Sequence, residues 1–336
     1  MPMLLNHPEF LNPDRLPVAV TAIVVVMLAG AVTGPVRGYA GPLLWYVFDI
    51  TAGKIGRRLD RPRRSRRELV LRGAGFAMIV FFVFLWLGGF ARGFVWNFPH
   101  YDIAEILLLS ICLSSGAVWH AAWQLFRVLK KKANKQGAYY AVARSTGLDL
   151  SYGDDYGITR VAISYSIRML PMAMVAPVFW YLIGGLPLAY AYCGIAALAW
   201  YFGRDGYGNG FGNAGLWLEM IAGFIPMLLS AIFVNLASVI SPTLSIARSI
   251  KSWFAGDKRA SYAEGGAVLS CAAWAMNISL GGPVTTVNGD VLKKRWIGSE
   301  GTSARLDASH VKRTLYMLFI SHLVMLAVLA VAMAAA

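Results

Sequence analysis

Three ionisable side chains sit where apolar sequence surrounds them: Arg168 at the entry to one long apolar run, Glu219 near the start of another, and His120 late in a third. A charge at the centre of a spanning helix costs about 3 kcal/mol on insertion scales, so such groups turn inward and mark ion, proton or ligand sites. A carboxylate and a guanidinium so placed can equally pair or snorkel near an interface, and Arg92 and Glu105, flanking residues 97–102, read as an interfacial pair. Other chemistries find little footing. The five histidines (His7, His100, His120, His310, His322) are scattered without ligand spacing, so no metal site is expected. Cys112, Cys193 and Cys271 lie in apolar stretches without Cys-x-x-Cys spacing and read as buried, inert thiols. Gly53-Lys54-Ile55 lacks the hydroxyl and leading glycine of a phosphate-binding loop. The glycine-dense stretch 203–212 follows no strand and reads as a flexible extramembrane loop. No Gly-x-Ser-x-Gly elbow is present.

The elements that must carry these residues follow from composition. Of 336 residues, 57% are hydrophobic and only 14% charged, against about 25% charged in soluble domains. Disorder needs the opposite balance, and three cysteines cannot make a disulfide framework. The net charge of +14 is patterned: 25 of the 31 basic residues fall in 54–72, 127–144, 248–259 and 293–313, between the apolar runs. That distribution is the charge bias of a multi-pass membrane protein with its basic loops in the cytoplasm, and it lacks the basic face interleaved with aromatics that a nucleic-acid binder presents.

Apolar runs at 17–34, 73–96, 103–126, 216–240 and 314–334 read as spans. Residues 168–202 are apolar but interrupted by Pro171, Pro177 and Gly184-Gly185-Leu186-Pro187, which suits a broken helix or re-entrant hairpin. Residues 263–283, milder and rich in small side chains, read as an interfacial or re-entrant helix. The expected fold is an all-α polytopic bundle of about five or six spans, with residues 1–16 as a lead and 17–336 as one membrane domain. Residues 1–17 lack the features of a signal peptide, so the first span is expected to stay as an anchor. With the basic clusters inside, 97–102 lies outside and 203–215 lies outside if 168–202 crosses once; a hairpin would return 203–215 to the inside. No internal repeat is visible.

Against this background the stretch 160–198 resembles the CobD/CbiB family, the membrane adenosylcobinamide-phosphate synthases of cobalamin assembly. Arg160 and Ala176-Pro177-Val178-Phe179-Trp180 fall in place without gaps. In the same order come Ala143-Arg144-Ser145-Thr146, Gly184-Gly185-x-Pro187, Tyr192, Phe211-Gly212, Phe224-Ile225-Pro226, Leu280-Gly281-Gly282-Pro283 and Trp296-Ile297-Gly298. Gly41-Pro42 through Arg57-Arg58-Leu59 is similar to the family's His-Pro segment and following basic helix, so the resemblance spans roughly 33–330.

The resemblance implies a bacterial inner-membrane protein and an ATP-dependent joining of a corrinoid carboxylate to aminopropanol or its phosphate. The family's polar set is replaced, however. Ser164, Arg168, Met169 and Met172 stand where it has two glutamates, an asparagine and an aspartate; Ala196-Ala197-Leu198-Ala199 replaces Asn-Thr-Leu-Asp. Glu219, Met220 and Gly223 replace two aspartates and an asparagine, Tyr262-Ala263-Glu264-Gly265-Gly266 replaces Ser-Pro-Asn-Ala-Gly, and Gly41 replaces the early histidine. Clustered carboxylates and amides are what hold Mg²⁺ and polyphosphate, so their exchange for Met, Ala and Arg argues for a diverged binding or accessory protein without a cofactor. Its partners would be the bilayer and another membrane protein or a second copy. Two other readings remain. A retained synthase, with ATP and Mg²⁺, would draw on Glu219 and Glu264 as catalytic acids and on Arg144, Arg160 and Arg168 as cofactor-binding cations. A transporter or lipid-handling protein would use the broken 168–202 helix, with a corresponding broken helix in a second repeat.

Overall fold

Apolar sequence sustained beyond about 20 residues forms helices here, because only a helix satisfies its own backbone in lipid. The computed structural model describes residues 12–61, 64–131, 135–151, 153–203, 206–208, 210–256, 260–285 and 291–335. Residues 1–11 of the lead, Arg63, Lys132, Lys258 and Arg259 of the basic segments, and Arg204, Asp205 and Asn209 of the glycine-dense stretch lie outside the described residues. Among the described residues, five helical segments are long and apolar enough to cross a membrane: Arg15–Thr33, Arg66–Trp96, Asp155–Phe202, Asn213–Ile240 and Ala308–Ala335. The helices in chain order are α1 (Arg15–Thr33), α2 (Leu43–Ile50), α3 (Ala52–Leu59), α4 (Arg66–Trp96), α5 (Tyr101–Ser110), α6 (Gly116–Lys131), α7 (Gln136–Thr146), α8 (Asp155–Leu170), α9 (Ala176–Phe202), α10 (Asn213–Ile240), α11 (Ile246–Lys251), α12 (Gly266–Met276) and α13 (Ala308–Ala335). The chain is an all-α, multi-pass membrane bundle. Side chains such as Leu28, Trp86, Phe90, Ile221 and Val331 are exposed on its perimeter, as a lipid-facing surface requires.

The segment 155–202 is a hairpin. Pro171 has no amide to donate and opens a π-helical turn over Pro171–Val175 between α8 and α9. At Gly184 and Gly185 the backbone leaves the helix, and Gly185 takes a φ of 70°, a conformation that favours glycine. The arms then run back along each other: the Tyr165 ring lies 5.8 Å from Trp200, and the Arg168 guanidinium 4.9 Å over the same indole. The return arm is the centre of the molecule, buried on nearly every face from Leu186 to Phe202, as expected of a helix that is hydrophobic all round. Helix α4 packs antiparallel against it, with Gly88 at Pro187, Phe84 at Gly194, and the Phe76 and Phe202 rings 6.2 Å apart.

Of the two paths open for 168–202 the chain takes the hairpin, and the single crossing with 203–215 on the outer side is set aside. The hairpin brings the chain back to the side of the basic segment 54–72, where Arg66 Nη2 donates to the Tyr207 carbonyl at 3.1 Å. Nor is this stretch loose throughout: Phe211 is fully buried against Phe76 and Phe202.

The expected span 103–126 is corrected. It is two helices, α5 and α6, separated at residues 111–115, and neither half is long enough to cross alone. The break is stabilised from a distance. The Ser114 amide donates to the Ala173 carbonyl in the π-turn at 2.9 Å, and Ser114 Oγ donates to the Ala40 carbonyl at 2.5 Å. Two irregular backbones thus satisfy each other inside protein, which is the condition for tolerating them at membrane depth. The region 263–283 is the short, almost fully buried α12 followed by a loop, so it lies inside the bundle and not along an interface. Two antiparallel strand pairs, β1 (Leu280–Gly281) with β4 (Trp296–Ile297) and β2 (Val284–Thr285) with β3 (Val291–Leu292), cover the open end of the hairpin. There the Asp149 amide donates to the Thr285 carbonyl at 3.0 Å.

Candidate functional site

Arg160, Ser164 and Arg168 are spaced by four residues along α8 and so share one helix face. The hairpin turns that face toward Trp200, and the strand-bearing segment brings Lys294 over it. Together they line a cavity of about 70 Å³ with Thr146, Tyr165 and Ala263. Three cations and three hydroxyls converge there, and among the described residues no carboxylate lines it. Arg160 Nη1 donates to the Ala304 carbonyl at 2.9 Å, and its guanidinium lies 5.2 Å over the Trp296 ring. Arg168 Nη2 donates to the Ala263 carbonyl at 3.1 Å. These contacts orient the planar groups and leave donors over: Arg160 Nε and Ser164 Oγ are buried without a hydrogen-bond partner among the described residues. Guanidinium forks match phosphate and carboxylate oxygens.

Arg168 also borders a smaller space shared with Glu219 and Tyr262. Glu219 is 3% exposed and accepts hydrogen bonds from Tyr262 Oη at 2.9 Å and Tyr192 Oη at 3.2 Å. Glu264 points elsewhere. It closes a capping box with Ser261, whose hydroxyl donates to it at 2.8 Å, and it accepts the Arg295 amide at 3.2 Å. Thus Arg160 and Arg168 are brought together, Glu219 stands beside Arg168, and Glu264 is turned to a local cap. Arg144 is apart, half-exposed on α7 and 3.9 Å from Asp49. Its neighbours hold the hairpin instead: Ser145 Oγ accepts the Ala40 amide, and the Ser145 carbonyl accepts Trp200 Nε1.

His120 has a bonding role: Nδ1 lies 2.8 Å from the Ala31 carbonyl and Nε2 2.8 Å from the Gln124 amide nitrogen. Arg92 and Glu105 line a crevice of about 570 Å³ with Arg15, Asp102 and Tyr181, at the hairpin apex end of the bundle. The three cysteines are free and buried. Among the described residues, no group of three or more His, Cys, Asp or Glu side chains is placed to hold a metal ion. Sequence reasoning missed Lys294, which lies 126 positions from Arg168 and carries no local signal. It also missed the pairing of Ser115 with His322, which are 207 positions apart.

The comparisons with known proteins agree with this architecture. The family model described as CobD/Cbib protein matches residues 23–318. A cobalamin biosynthesis protein CobD of Brucella anthropi is 29% identical over 141 residues, covering 41% of this chain and 42% of the relative. That of Brucella melitensis biotype 1 is 28% identical over 197 residues, covering 56% of this chain and 60% of the relative. The cobalamin biosynthesis protein CbiB of Salmonella typhimurium is 24% identical over 227 residues, covering 67% and 69%. The chain therefore aligns with about two fifths to three fifths of the length of the two Brucella proteins. No solved structure matches the chain. A match running through the broken helices and the cationic cavity to the last spanning helix places the chain in the CobD/CbiB family of cobalamin-biosynthesis membrane proteins.

Proposed function

We propose that this chain is a diverged family member that binds an anionic group in the membrane domain and serves as an accessory protein, without forming the amide. The observation that carries this reading is the lining of one cavity by Arg160, Arg168 and Lys294 with no carboxylate among the described residues. Magnesium takes hard oxygen ligands, chiefly carboxylates and phosphates. Among the described residues, the acids bordering it are single and apart, Asp149 in the space next to Arg160 and Glu219 in the space next to Arg168. Glu219 is engaged by two phenols, and Glu264 by Ser261 and the Arg295 amide. The residues present do not fit a protein-held Mg²⁺, so no synthase step is derived through it. The basic segments support a bacterial inner-membrane location with those loops in the cytoplasm, a single membrane domain over 17–336, and a membrane protein or second copy as partner.

Complementation tests the reading. A cobalamin auxotroph lacking its own family synthase is expected to stay auxotrophic when this chain is expressed and inserted in its membrane. Growth without added cobinamide or cobalamin would overturn the proposal in favour of a working synthase. In parallel, inorganic phosphate should raise the unfolding midpoint of the purified protein more than chloride at equal ionic strength, and Arg160→Ala should abolish the difference.

A further inference from the structure

Helices α1, α6, α8 and α13 enclose a second space of about 170 Å³, away from the cationic cavity. Its walls are aliphatic and aromatic apart from three serines and His322. Two of the serines give their protons to carbonyls: Ser114 Oγ to Ala40 at 2.5 Å and Ser166 Oγ to Ala162 at 2.8 Å. Ser115 does something different. Its Oγ lies 2.8 Å from His322 Nε2, and His322 Nδ1 lies 2.6 Å from the Leu318 carbonyl. A carbonyl can only accept, so Nδ1 carries the ring proton and Nε2 presents its lone pair. The serine hydroxyl must then donate to Nε2. This is the arrangement of a nucleophile, its general base and a third group that holds the base in the working tautomer.

The position of Ser115 adds to it. Its carbonyl accepts the Trp119 amide at 2.9 Å, so it caps the start of the 16-residue α6. The first-turn amides of that helix have no carbonyl of their own helix to bond. A pin between α6 and α13 would need the hydrogen bond but not the space. Interiors are close-packed, and this space exceeds the roughly 150 Å³ of an engineered apolar cavity that admits benzene. Leu28 and Phe319 at its edge are 65% and 45% exposed on the lipid-facing perimeter. A ligand therefore reaches it from the bilayer.

We propose that Ser115 and His322 are a catalytic dyad that cleaves the acyl ester of a membrane lipid. Ser115 Oγ bonds to the ester carbonyl carbon as its proton passes to His322 Nε2. The carbon–oxygen bond to the alcohol then breaks, and that alcohol leaves with the proton from Nε2. Water attacks the acyl-serine with its proton taken by Nε2; the adduct collapses, the serine regains the proton, and the fatty acid departs.

The test uses the full chain in lipid nanodiscs and an alkyl fluorophosphonate, which bonds to an activated serine with loss of fluoride. Peptide mass spectrometry is expected to place the adduct on Ser115. Labelling should disappear in Ser115→Ala and slow at least about 100-fold in His322→Gln, the usual size of a lost general base. Octanoyl p-nitrophenyl ester should compete with the probe better than the acetyl ester. Should either variant fail to fold, the site of the adduct on the wild-type chain decides alone. Folded wild-type protein that leaves Ser115 unlabelled, or labels it no faster than after heat denaturation, overturns the proposal.

Discussion

The hairpin that shapes the cationic cavity rests on a close crossing, and two adjacent glycines of α4 test it with opposite expected signs. A methyl group built on Gly88 would lie 2.6 Å from Pro187 Cα and 2.7 Å from the Leu186 carbonyl oxygen, backbone atoms just past the hairpin apex. Carbon atoms settle at about 3.5–4.0 Å, so α4 and the return arm must separate by roughly 1 Å. Overpacking of this kind costs about 1–3 kcal/mol, and no side chain can swing aside to relieve it. At Gly89 the same methyl meets nothing within 4 Å, and Gly→Ala in a helix interior gains about 0.8–1.0 kcal/mol. The helix-propensity gain is common to both variants, so Gly88→Ala and Gly89→Ala should differ by the overpacking cost, about 1–3 kcal/mol. The assay is reversible unfolding in mixed micelles, followed by the helical circular dichroism signal, on the two variants and the parent chain. A Gly88→Ala variant as stable as Gly89→Ala would refute the crossing and with it the positions of Trp200 and Arg168.

Three further outcomes are expected. Cysteines placed at Tyr207 and Arg61 should label from the same side of the membrane, and one at Asn97 from the other side; the three native thiols are buried and silent. Labelling of Tyr207→Cys with Asn97→Cys would restore a single crossing for 168–202. Glu219→Leu should cost about 1–3 kcal/mol by leaving the buried Tyr192 hydroxyl without its acceptor, whereas Glu219→Gln keeps an acceptor and costs less. Adding Tyr192→Phe to Glu219→Leu should recover part of the loss in a double-mutant cycle, and strict additivity would count against the bond. At the start of α13, hydrogen bonds from Ser309, with a smaller part from His310, hold the Asp307 carboxyl down from 3.8 to about 2. A depressed carboxyl pKa stabilises the fold above the ordinary value and loses that contribution as pH falls through the folded one. Amide exchange over the first turn of α13 should therefore quicken between about pH 4 and pH 2, and Asp307→Asn should remove that step.

The helical class and most spans were legible because apolar length is a direct physical signal. The break at Gly184-Gly185-Leu186-Pro187 was visible too, since glycine and proline punctuate locally. Its geometry was not: periodicity cannot tell a kinked crossing from a return, and what decides it is the meeting of Arg168 and Tyr165 with Trp200. The break at residues 111–115 carries neither glycine nor proline and depends on the carbonyls of Ala173 and Ala40 far away in the chain. The cationic cavity was half readable, because Arg160, Ser164 and Arg168 repeat at helical spacing. Lys294 reaches it only through tertiary structure. Glu219 was marked by its apolar surroundings. Glu264, chosen by residue type, turns to a cap because Ser261 stands at the matching capping-box position.

By the resemblance drawn from the sequence, Ser164 and Arg168 stand where the family carries acids, and such an exchange changes what a cavity asks of its contents. Carboxylates at one helix face repel each other and call for a cation. Guanidinium groups at that face call for an anion instead. The packing residues can be kept through such an exchange, because what orients Arg168 is the Ala263 carbonyl and the Trp200 indole, groups the scaffold supplies in any case. Glu219 is already held by Tyr192 and Tyr262, so it stands beside Arg168 without lining the cavity that Arg160 and Lys294 border. Arg160 Nε and Ser164 Oγ are buried donors on residues that line the same cavity. An oxyanion between them meets both at once. The lining thus favours the anion proposed above over a metal cation.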